Sequence, residues 1–277
     1  MFPHHYFEAD CHALNCRARL NYPWQRRLTD FFRHSFFNNL NYWKRNPSQN
    51  KKLMAAIISK IEELQQEICW EQDLQAASYA VFDCETTGFE PLKGDKIISL
   101  GGIIIEDGNI IDKQIFNQLV NPLRPIPPAI TALTGITNSM VAGKPTICQV
   151  LLDFLDFLGN KILIAHRAPF DLTFLNLELG RFAPVRIPQP VIDTHLLSCY
   201  ILPWLEEHTL DYLGTCHNIK MKQRHTALGD AKITARVFLK LLQRLKKEGI
   251  STLGQLRDYF LLKKTADAPL TISVASF

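Results

Sequence analysis

The sequence predicts an α/β fold in which a mixed central sheet is flanked by helices, with an N-terminal helical extension in front of it. Two observations indicate this fold. Three strand-like segments follow one another from residue 79, and "EDGN" at 106–109 marks a tight turn between the last two, as expected for antiparallel strands. Further along the chain, strand-like segments alternate with helical patterns, which is typical of strands added in parallel.

Periodicity of the apolar residues bounds these segments. Apolar runs between turn residues predict strands at 79–84, 96–105, 109–120, 161–166 and 191–194. Helical spacing predicts helices at 128–134, 146–158 and 169–180, and over most of the chain from the last strand to residue 248. The predicted organisation is therefore an N-terminal extension (1–77, mostly helical), a central domain (78–248) and a C-terminal tail (249–277).

The N-terminal extension contains two different patterns. Apolar residues recur at helical spacing in residues 51–77, which predicts an amphipathic helix. Residues 23–46 interleave aromatic residues with Arg and Lys. Such side chains can stack on bases and hold phosphates, or they can pack a helix against the core, which the spacing of Phe32 and Phe36 favours.

The composition suits one large domain, or one domain with an appendage, because the chain has 277 residues of which 47% are hydrophobic. No apolar run approaches the length of a membrane span, and the N-terminus lacks the apolar segment of a signal peptide. The seven cysteines are scattered, with no C-x-x-C pair. We therefore expect reduced thiols, a cytoplasmic location and no membrane partner.

Charge is unevenly distributed along the chain. Residues 1–50 contain seven Lys or Arg and three Asp or Glu, which leaves 24 of each sign in the remainder. The body of the protein is therefore neutral, although the net charge is +4. A neutral body argues against a protein that holds nucleic acid mainly by bulk charge, but it is compatible with an enzyme that binds a few nucleotides through metal ions.

Two acids end the first predicted strand, in "YAVFDCETTGFEP" (79–91). Asp83 and Glu85 are two residues apart on a strand, so their side chains point to the same face. Like charges this close repel each other, and partial burial increases the repulsion. A hard cation such as Mg²⁺ or Mn²⁺ between them would remove it. On this pair alone the alternative, a strand end that simply reaches solvent, stays open.

Further acids occur in similar settings. Asp171 lies in the first turn of the helix predicted in "LIAHRAPFDLTFL" (163–175). His225 and Asp230 lie at the start of the long amphipathic helix of "RHTALGDAKITARVF" (224–238). Each feature alone has an ordinary explanation, since a carboxylate at a helix N-terminus is favoured by the helix dipole and a lone His there is often a cap. Together they place four carboxylates and one histidine at strand ends and helix starts of a single α/β domain.

The segments "FDCETTG", "AHRAPFDLTFL" and "HTALGDA" follow one another in this order. They resemble the three exonuclease motifs of the DEDDh branch of the DnaQ-like 3′–5′ exonucleases, a family that includes the epsilon proofreading subunit of bacterial DNA polymerase III. The resemblance extends over about residues 78–245, so it identifies the central domain as an exonuclease domain. It implies a ribonuclease H-like fold, in agreement with the predicted mixed sheet.

The resemblance also implies roles for the acidic residues and the histidine. Asp83, Glu85, Asp171 and Asp230 would bind two Mg²⁺ or Mn²⁺ ions, with Asp83 between them, and His225 would be the general base. Turnover would release nucleoside 5′-monophosphates from a 3′ end. The substrate-binding residues that it implies are Thr86, Thr87, Gly88, Phe89, Leu133, Ile136, His166, Arg167 and Phe170.

One position departs from the family pattern. The second motif usually reads A-H-N, whereas residue 167 here is Arg. The metal-binding Asp171 is unaffected, but the contact of this loop with substrate is put in doubt. Arg167 could reach a phosphate or point outward, and the sequence favours neither.

Two classes of function are compatible with these motifs. The first is an active exonuclease acting on DNA 3′ ends in proofreading or repair, with a DNA polymerase subunit as a candidate partner, or acting on RNA 3′ ends instead. The second is a nuclease-like module that binds nucleic acid without cleaving it. The presence of all five motif residues favours the enzyme, while the choice between DNA and RNA cannot be read from the sequence.

Overall fold

The computed structural model describes residues 47–65 and 67–266. The basic, aromatic stretch at 23–46 lies outside the described residues, so its two alternatives stay open. Nine α-helices and five strands are found in the described part. The strands are β1 (Tyr79–Thr86), β2 (Ile97–Glu106), β3 (Asn109–Leu119), β4 (Ile162–Ala165) and β5 (Val191–Asp193).

The helices alternate with the later strands, as the sequence predicts. They are α1 (Pro47–Glu63), α2 (Pro128–Thr134), α3 (Asn138–Ala142), α4 (Ile147–Leu158), α5 (Ala168–Phe182), α6 (Thr194–Ile201), α7 (Leu210–Cys216), α8 (Ala227–Lys247) and α9 (Leu253–Ala266). A short 3-10 helix at Pro91–Lys93 follows β1. Thr209 and Thr226 cap α7 and α8 by accepting a hydrogen bond from a backbone N–H of the first turn.

The five strands form one mixed sheet in the order β3-β2-β1-β4-β5. β1 pairs with β2 and β2 with β3 in antiparallel fashion, whereas β1–β4 and β4–β5 are parallel. β1 is therefore the central strand, with Tyr79 opposite Ile105 on one side and Ile162 on the other. The predicted mixed sheet flanked by helices is confirmed.

Alternation along β1 assigns its residues to two apolar layers. Tyr79 and Val81 pack in one core cluster with residues of α6 to α9, among them Phe238. Ala80 and Phe82 belong to the cluster on the other face, with residues of α1, α4 and α5. Asp83 and Glu85 continue the odd-numbered series, so they emerge on the face that α8 covers.

One prediction about the ends of this region is wrong in detail, and one segment contains a helix that was not predicted. The helix predicted over 51–77 ends at Glu63. Asp73 explains part of this, because its carboxylate accepts from the backbone N–H groups of Gln75 and Ala76, and its backbone forms a bridge to Thr252. The tail expected after residue 248 contains α9, whose apolar residues are buried in the core cluster around Tyr79.

The helices at the two ends of the described chain, α1 and α9, pack against the core of the central domain. Ile57 and Ile61 of α1 are fully buried within the core cluster around Phe82. Leu256 and Phe260 of α9 are buried on the opposite face. The domain boundaries at 77 and 248 remain a prediction, and a truncation at either one would remove a helix that contributes to the core.

Two findings concern the environment of the chain. Within residues 47–65 and 67–266, no helix is both long enough and apolar enough to cross a bilayer. Four cysteines in this part of the chain are free thiols, in line with the scattered spacing. They are Cys69, Cys84, Cys199 and Cys216.

Candidate active site

The acid pair lies where β1 leaves the core, on the side of α8. Asp83 is paired with Gly101 of β2 in the antiparallel register. A Cβ atom on Gly101 would overlap the backbone of Ala227 and Leu228 at the start of α8. Gly101 therefore permits a close approach of helix to strand that another residue would prevent. This approach brings the first turn of α8 against the end of β1.

Three carboxylates meet as a result. One oxygen each of Asp83, Glu85 and Asp230 lies within 4.8 Å of the others. Asp230 is only 7% exposed, and its Oδ1 is buried with no hydrogen-bond partner among the described residues. Converging oxygen donors with an unsatisfied buried acceptor fit a hard divalent cation.

Asp171 approaches the same strand from the other side of the sheet. It lies in the first turn of α5 and is 2% exposed. Its Oδ1 accepts a hydrogen bond of 3.0 Å from the backbone N–H of Cys84, the residue between Asp83 and Glu85. Asp171 thus adjoins the three-carboxylate group without being a member of it.

Burial and mutual repulsion favour protonation of these acids. Burial raises the pKa of Asp83 well above its ordinary value, and Asp171, Asp230 and Glu85 raise it further. Burial, followed by the charges of Asp230 and Asp171, raises the pKa of Glu85 to about 8. Burial raises the pKa of Asp171 to about 7, although hydrogen bonds from Cys84 oppose the shift. The four acids therefore form a cluster that ionises reluctantly without a cation.

Arg224 is the one basic side chain found in an ion pair with the cluster, among the described residues. Its Nη1 contacts Oδ2 of Asp230, and its Nε and Nη2 lie 2.6 and 2.9 Å from the carboxylate oxygens of Asp211. Burial raises the pKa of Asp230, and Arg224 opposes that rise. The sequence analysis missed Arg224 and Asp211. The available signal was a basic residue directly before the predicted general base.

His225 stands beside the cluster in a turn that positions its backbone. It is half-buried with a φ of 58°, a left-handed conformation that non-glycine residues adopt infrequently. Its backbone N–H and its charge both act to lower the pKa of Asp230, so the residue lies close to that carboxylate. The turn ends at Thr226, whose hydroxyl accepts from the N–H of Gly229 and begins α8.

The residues of "TTG" form a turn held by an acid from the next loop. Thr86 and Thr87 are 6% and 1% exposed, and the Thr87 hydroxyl donates to Asp95 at 2.9 Å. A Cβ on Gly88 would overlap the Asp95 carboxylate. The threonine side chains therefore point into the protein. The backbone of the turn is the part that could contact a ligand.

Two predicted aromatic residues lie side by side at the edge of the site. Phe89 is 60% exposed, and its ring centroid is 6.2 Å from that of Phe170. Phe170 in turn contacts Phe174 at 5.1 Å, which anchors it to the apolar layer under α5. An exposed ring supported by a fixed ring is a surface on which a base can stack.

The "LTGIT" segment separates its two predicted residues. Ile136 is 5% exposed and packs in a small cluster with Ile98, Ile126, Ile130 and Val141. Leu133 is 43% exposed. Gly135 takes a φ of 73° at the C-terminal end of α2, which turns the chain between them. Of these two residues, only Leu133 presents an apolar surface to solvent.

His166 and Arg167 connect β4 to α5. The His166 ring lies 3.0 Å from the Thr194 hydroxyl through Nδ1, and burial lowers the pKa of His166 to about 3, so it is neutral. Arg167 is exposed, with a left-handed φ of 62°. Asp193 accepts from the backbone N–H groups of Arg167 and His195, at 2.9 and 2.8 Å. The exposed side chain of Arg167 therefore extends from a loop whose backbone is held by hydrogen bonds to Asp193.

Comparison with known protein families gives one match over this region. The exonuclease family model, RNase_T, matches residues 80–238, which is more than half of the chain. A DNA polymerase III subunit epsilon-like protein of Rhodobacter capsulatus is 43% identical over 189 residues, covering 66% of this chain and 26% of that relative. The chain spans about a quarter of the length of this curated relative.

Two solved structures share the arrangement of the sheet and helices. Exonuclease X in complex with 5′ overhanging duplex DNA superposes with a TM-score of 0.51 at 27% identity, covering 66% of this chain and 99% of that one. The nuclease domain of 3′hExo bound to rAMP, described as a DEDDh family member, gives 0.55 at 21% identity, covering 62% and 94%. The fold is the ribonuclease H-like fold of these exonucleases.

Proposed function

The chain belongs to the RNase_T family of exonucleases, and we propose that it is a metal-dependent 3′–5′ exonuclease that releases nucleoside 5′-monophosphates from DNA 3′ ends. Membership in this family confirms the resemblance of the three sequence segments to exonuclease motifs. The observation that carries the proposal is the convergence of Asp83, Glu85 and Asp230 within 4.8 Å, with Asp171 one hydrogen bond from the same strand.

The carboxylates are suited to hold two Mg²⁺ or Mn²⁺ ions. Asp83, Glu85 and Asp230 would hold the first, and Asp83 and Asp171 the second. When bound, divalent ions lower the pKa of a water molecule and stabilise negative charge on a leaving oxygen. The pKa values of Asp83 and Glu85 are raised by burial and by neighbouring carboxylates. A cation that binds there would therefore displace protons from these carboxyl groups, or relieve the repulsion between them where they are already ionised.

His225 is proposed as the general base. A half-buried imidazole next to Asp230 can take the proton of the attacking water and pass it to solvent. His225 lies in a turn and not within α8, so its ring can be directed toward the scissile phosphate. When the carboxylates hold a cation, Arg224 would either leave Asp230 and keep its contact with Asp211, or contact Asp230 together with the cation. Both are possible because its guanidinium contacts both acids.

The substrate end of the site is assembled from four places on the chain. Phe89, supported by Phe170, would stack on or wedge the terminal bases. The backbone of Thr86, Thr87 and Gly88 would approach the terminal nucleotide. Leu133 would contact its sugar or base, with Ile136 shaping the segment from below. Arg167 would reach a phosphate, and His166 would stay a neutral support of this loop.

Proofreading or repair of DNA is the role that the relatives favour. The Rhodobacter capsulatus relative is epsilon-like by name, and the exonuclease X structure contains duplex DNA. A DNA polymerase subunit is therefore the proposed partner, and the cytoplasm the proposed location. Because only a quarter of that relative is spanned, this role rests on the shared domain alone.

A degradation assay tests the proposal. The full chain is incubated with single-stranded DNA, mismatched duplex DNA and RNA of the same sequence, labelled at the 5′ end, during a Mg²⁺ titration. We expect a ladder that shortens from the 3′ end, mononucleotide release, and no cleavage without a divalent ion or in Asp83→Ala. Faster degradation of RNA would transfer the proposal to RNA 3′ ends. Binding of all three without cleavage would identify a silent nucleic-acid-binding module.

A further inference from the structure

A basic groove lies between α8 and the loop that precedes it. It has a volume of about 670 Å³, with residues 217–223 on one side and one face of α8 on the other. The cations that line it are Lys220, Lys222, Lys232, Arg236 and Lys240. No carboxylate is among the described residues that line the groove, so it concentrates positive charge in a concave surface.

The charges of this basic groove are not neutralised by the protein. Within residues 47–65 and 67–266, none of its five cations forms an ion pair, whereas Arg224 and Arg244 nearby each contact a carboxylate. Lys222, Arg236 and Lys240 are exposed. Cations held together around a cavity repel one another, and an anionic ligand removes that repulsion.

The spacing of the cations fits an extended anion. Lys232, Arg236 and Lys240 are four residues apart and lie on one face of α8. At 1.5 Å per residue they extend over about 12 Å, which corresponds to roughly three nucleotides at the axial spacing of a helical strand. A single phosphate would contact at most part of this row of cations.

One residue of the basic groove lies next to the residues of the candidate active site. The carbonyl of Gln223, one of its lining residues, packs so closely on Gly229 that a Cβ there would overlap it. Gly229 precedes Asp230, and Arg224 follows Gln223 and contacts Asp230. The remaining lining includes Ile219, Leu239 and the imidazole of His217, with no Phe, Tyr or Trp among the described residues, so it offers little surface for bases to stack on.

We propose that the basic groove binds the sugar–phosphate backbone of a nucleic-acid strand a few nucleotides away from its reacting 3′ end. This inference rests on the proposed function. The groove would bind without regard to sequence, because phosphates carry no sequence information and the groove is lined mainly by cations. It would hold long substrates between successive cleavages while leaving the chemistry at the acidic cluster unchanged.

The test compares two triple variants of the full chain. Lys222→Gln, Arg236→Gln and Lys240→Gln remove three exposed cations of the groove. Lys51→Gln, Lys52→Gln and Lys113→Gln, also exposed, remove the same charge on α1 and β3, away from the groove. Oligonucleotide binding is measured for both in an Asp83→Ala background, at several salt concentrations. We expect about 10²-fold weaker binding of a twelve-nucleotide strand for the groove variant at 0.1 M salt, with a salt slope reduced by about two.

A length series and a charge-conserving variant complete the comparison. With Asp83 restored, both triple variants are expected to cleave a trinucleotide at the wild-type rate, because it does not reach the groove. Lys222→Arg, Arg236→Lys and Lys240→Arg together are expected to keep the wild-type affinity for the long strand. A cleavage rate that falls equally for short and long substrates would overturn the proposal, since the groove would then act on the chemistry or the fold.

Two other outcomes would overturn the groove proposal, and a third would separate it from the proposed function. Equal affinities and salt slopes for the two triple variants would mean that the groove does not contact nucleic acid. Binding of polyaspartate at least as tightly as the oligonucleotide would assign the groove to an acidic protein segment. If the unaltered protein cleaves no nucleic acid but the groove variant still loses oligonucleotide binding, the proposed function fails and the groove assignment stands.

Discussion

Helix α5 contains two buried acids, Asp171 and Glu178, whose charged surroundings differ. Asp171 and Glu178 are seven residues apart and each is 2% exposed. Glu178 contacts the guanidinium of Arg181 and lies 3.4 Å from the ammonium of Lys96. Asp171 forms no ion pair within the described part of the chain. It accepts from a backbone N–H and adds its charge to those of Asp83 and Glu85.

This difference is the one that we expect between a structural acid and a metal-binding acid. Burying a carboxylate is costly, and burial raises the pKa of Glu178 to about 8, so the two cations that the protein places beside Glu178 offset only part of that cost. Around Asp171 and its neighbouring acids, the described part of the chain supplies a single ion-paired cation, Arg224, which contacts Asp230. A cluster left short of positive charge is suited to take its cations from solution, which is what a metal-dependent nuclease requires.

The largest expected effect is on Asp83, the acid nearest to all the others. Asp83→Ala is expected to lower the cleavage rate by at least about 10³-fold, or about 4 kcal/mol in the activation free energy. The free energy of unfolding should stay the same or increase, because one of several repelling charges is removed. Oligonucleotide cleavage and urea unfolding measure the two quantities. A variant that keeps more than about a tenth of the wild-type rate would refute the assignment of the acids to metal ions.

His225→Ala is expected to reduce the rate by about 10²–10⁴-fold while leaving metal affinity unchanged. A general base contributes to proton transfer, whereas the carboxylates hold the ions without it. Isothermal titration with Mn²⁺ and single-turnover cleavage distinguish the two roles. A weakened Mn²⁺ affinity would make His225 a ligand, and a rate within a few-fold of wild type would leave it without a catalytic role.

Paired substitutions at the two ends of α5 provide the direct test of the comparison. Glu178→Gln is expected to lower the free energy of unfolding by about 3 kcal/mol, because the largely buried Arg181 loses its partner, and to leave the rate per folded molecule within a few-fold of wild type. Asp171→Asn should do the reverse, with loss of activity and no loss of stability. Denaturant titration and cleavage of both variants are the measurements. Loss of stability in both would make Asp171 a structural acid as well.

The pH dependence of the melting temperature should show whether the acid cluster binds a divalent cation. Carboxyl groups whose pKa rises on folding, such as Glu85 (about 8) and Asp171 (about 7) in the cluster and Glu178 (about 8) outside it, stabilise the fold fully below their ordinary pKa and lose this contribution as pH rises through 7 to 8. Without divalent ions, the melting temperature is therefore expected to fall from pH 5.5 to 8. Mg²⁺ at about 100 times its Kd should restore about 2.7 kcal/mol at pH 8 and less at pH 5.5.

Asp83→Ala is the control for this response, because it removes a shared ligand and should abolish most of the Mg²⁺ effect. An equal Mg²⁺-induced shift at both pH values would show that the ion binds elsewhere on the protein.

The smallest expected effect is at Arg167, where the family pattern has Asn. Asn tolerates the left-handed φ of this position, and the backbone N–H can still donate to Asp193. Arg167→Asn is therefore expected to raise KM a few-fold and to weaken its salt dependence by about one phosphate contact, with kcat unchanged. Cleavage kinetics at two salt concentrations measure both. A KM equal to that of wild type at both would place Arg167 outside the substrate path.

Local patterns account for much of the fold. The helix at 128–134 has the bounds that its apolar spacing predicts, and β1 to β3 lie within two residues of their predicted ends. The end of α1 at Glu63 and the presence of α9 were not predicted. Both depend on contacts between residues far apart in the chain, such as the bridge from Asp73 to Thr252, which periodicity does not record.

The sequence by itself determined which side chains would form the candidate site. The alternation of β1 places Asp83 and Glu85 on one face, and the motif spacing selects Asp171, His225 and Asp230. Only the tertiary structure decided how near they lie and what surrounds them. Gly101 admits α8 to the edge of β1, because packing brings together segments that are more than a hundred residues apart in the chain. Arg224 reaches Asp230 across the turn that begins α8. The basic groove likewise exists only because the loop at 217–223 folds back on α8, so that scattered lysines become one surface.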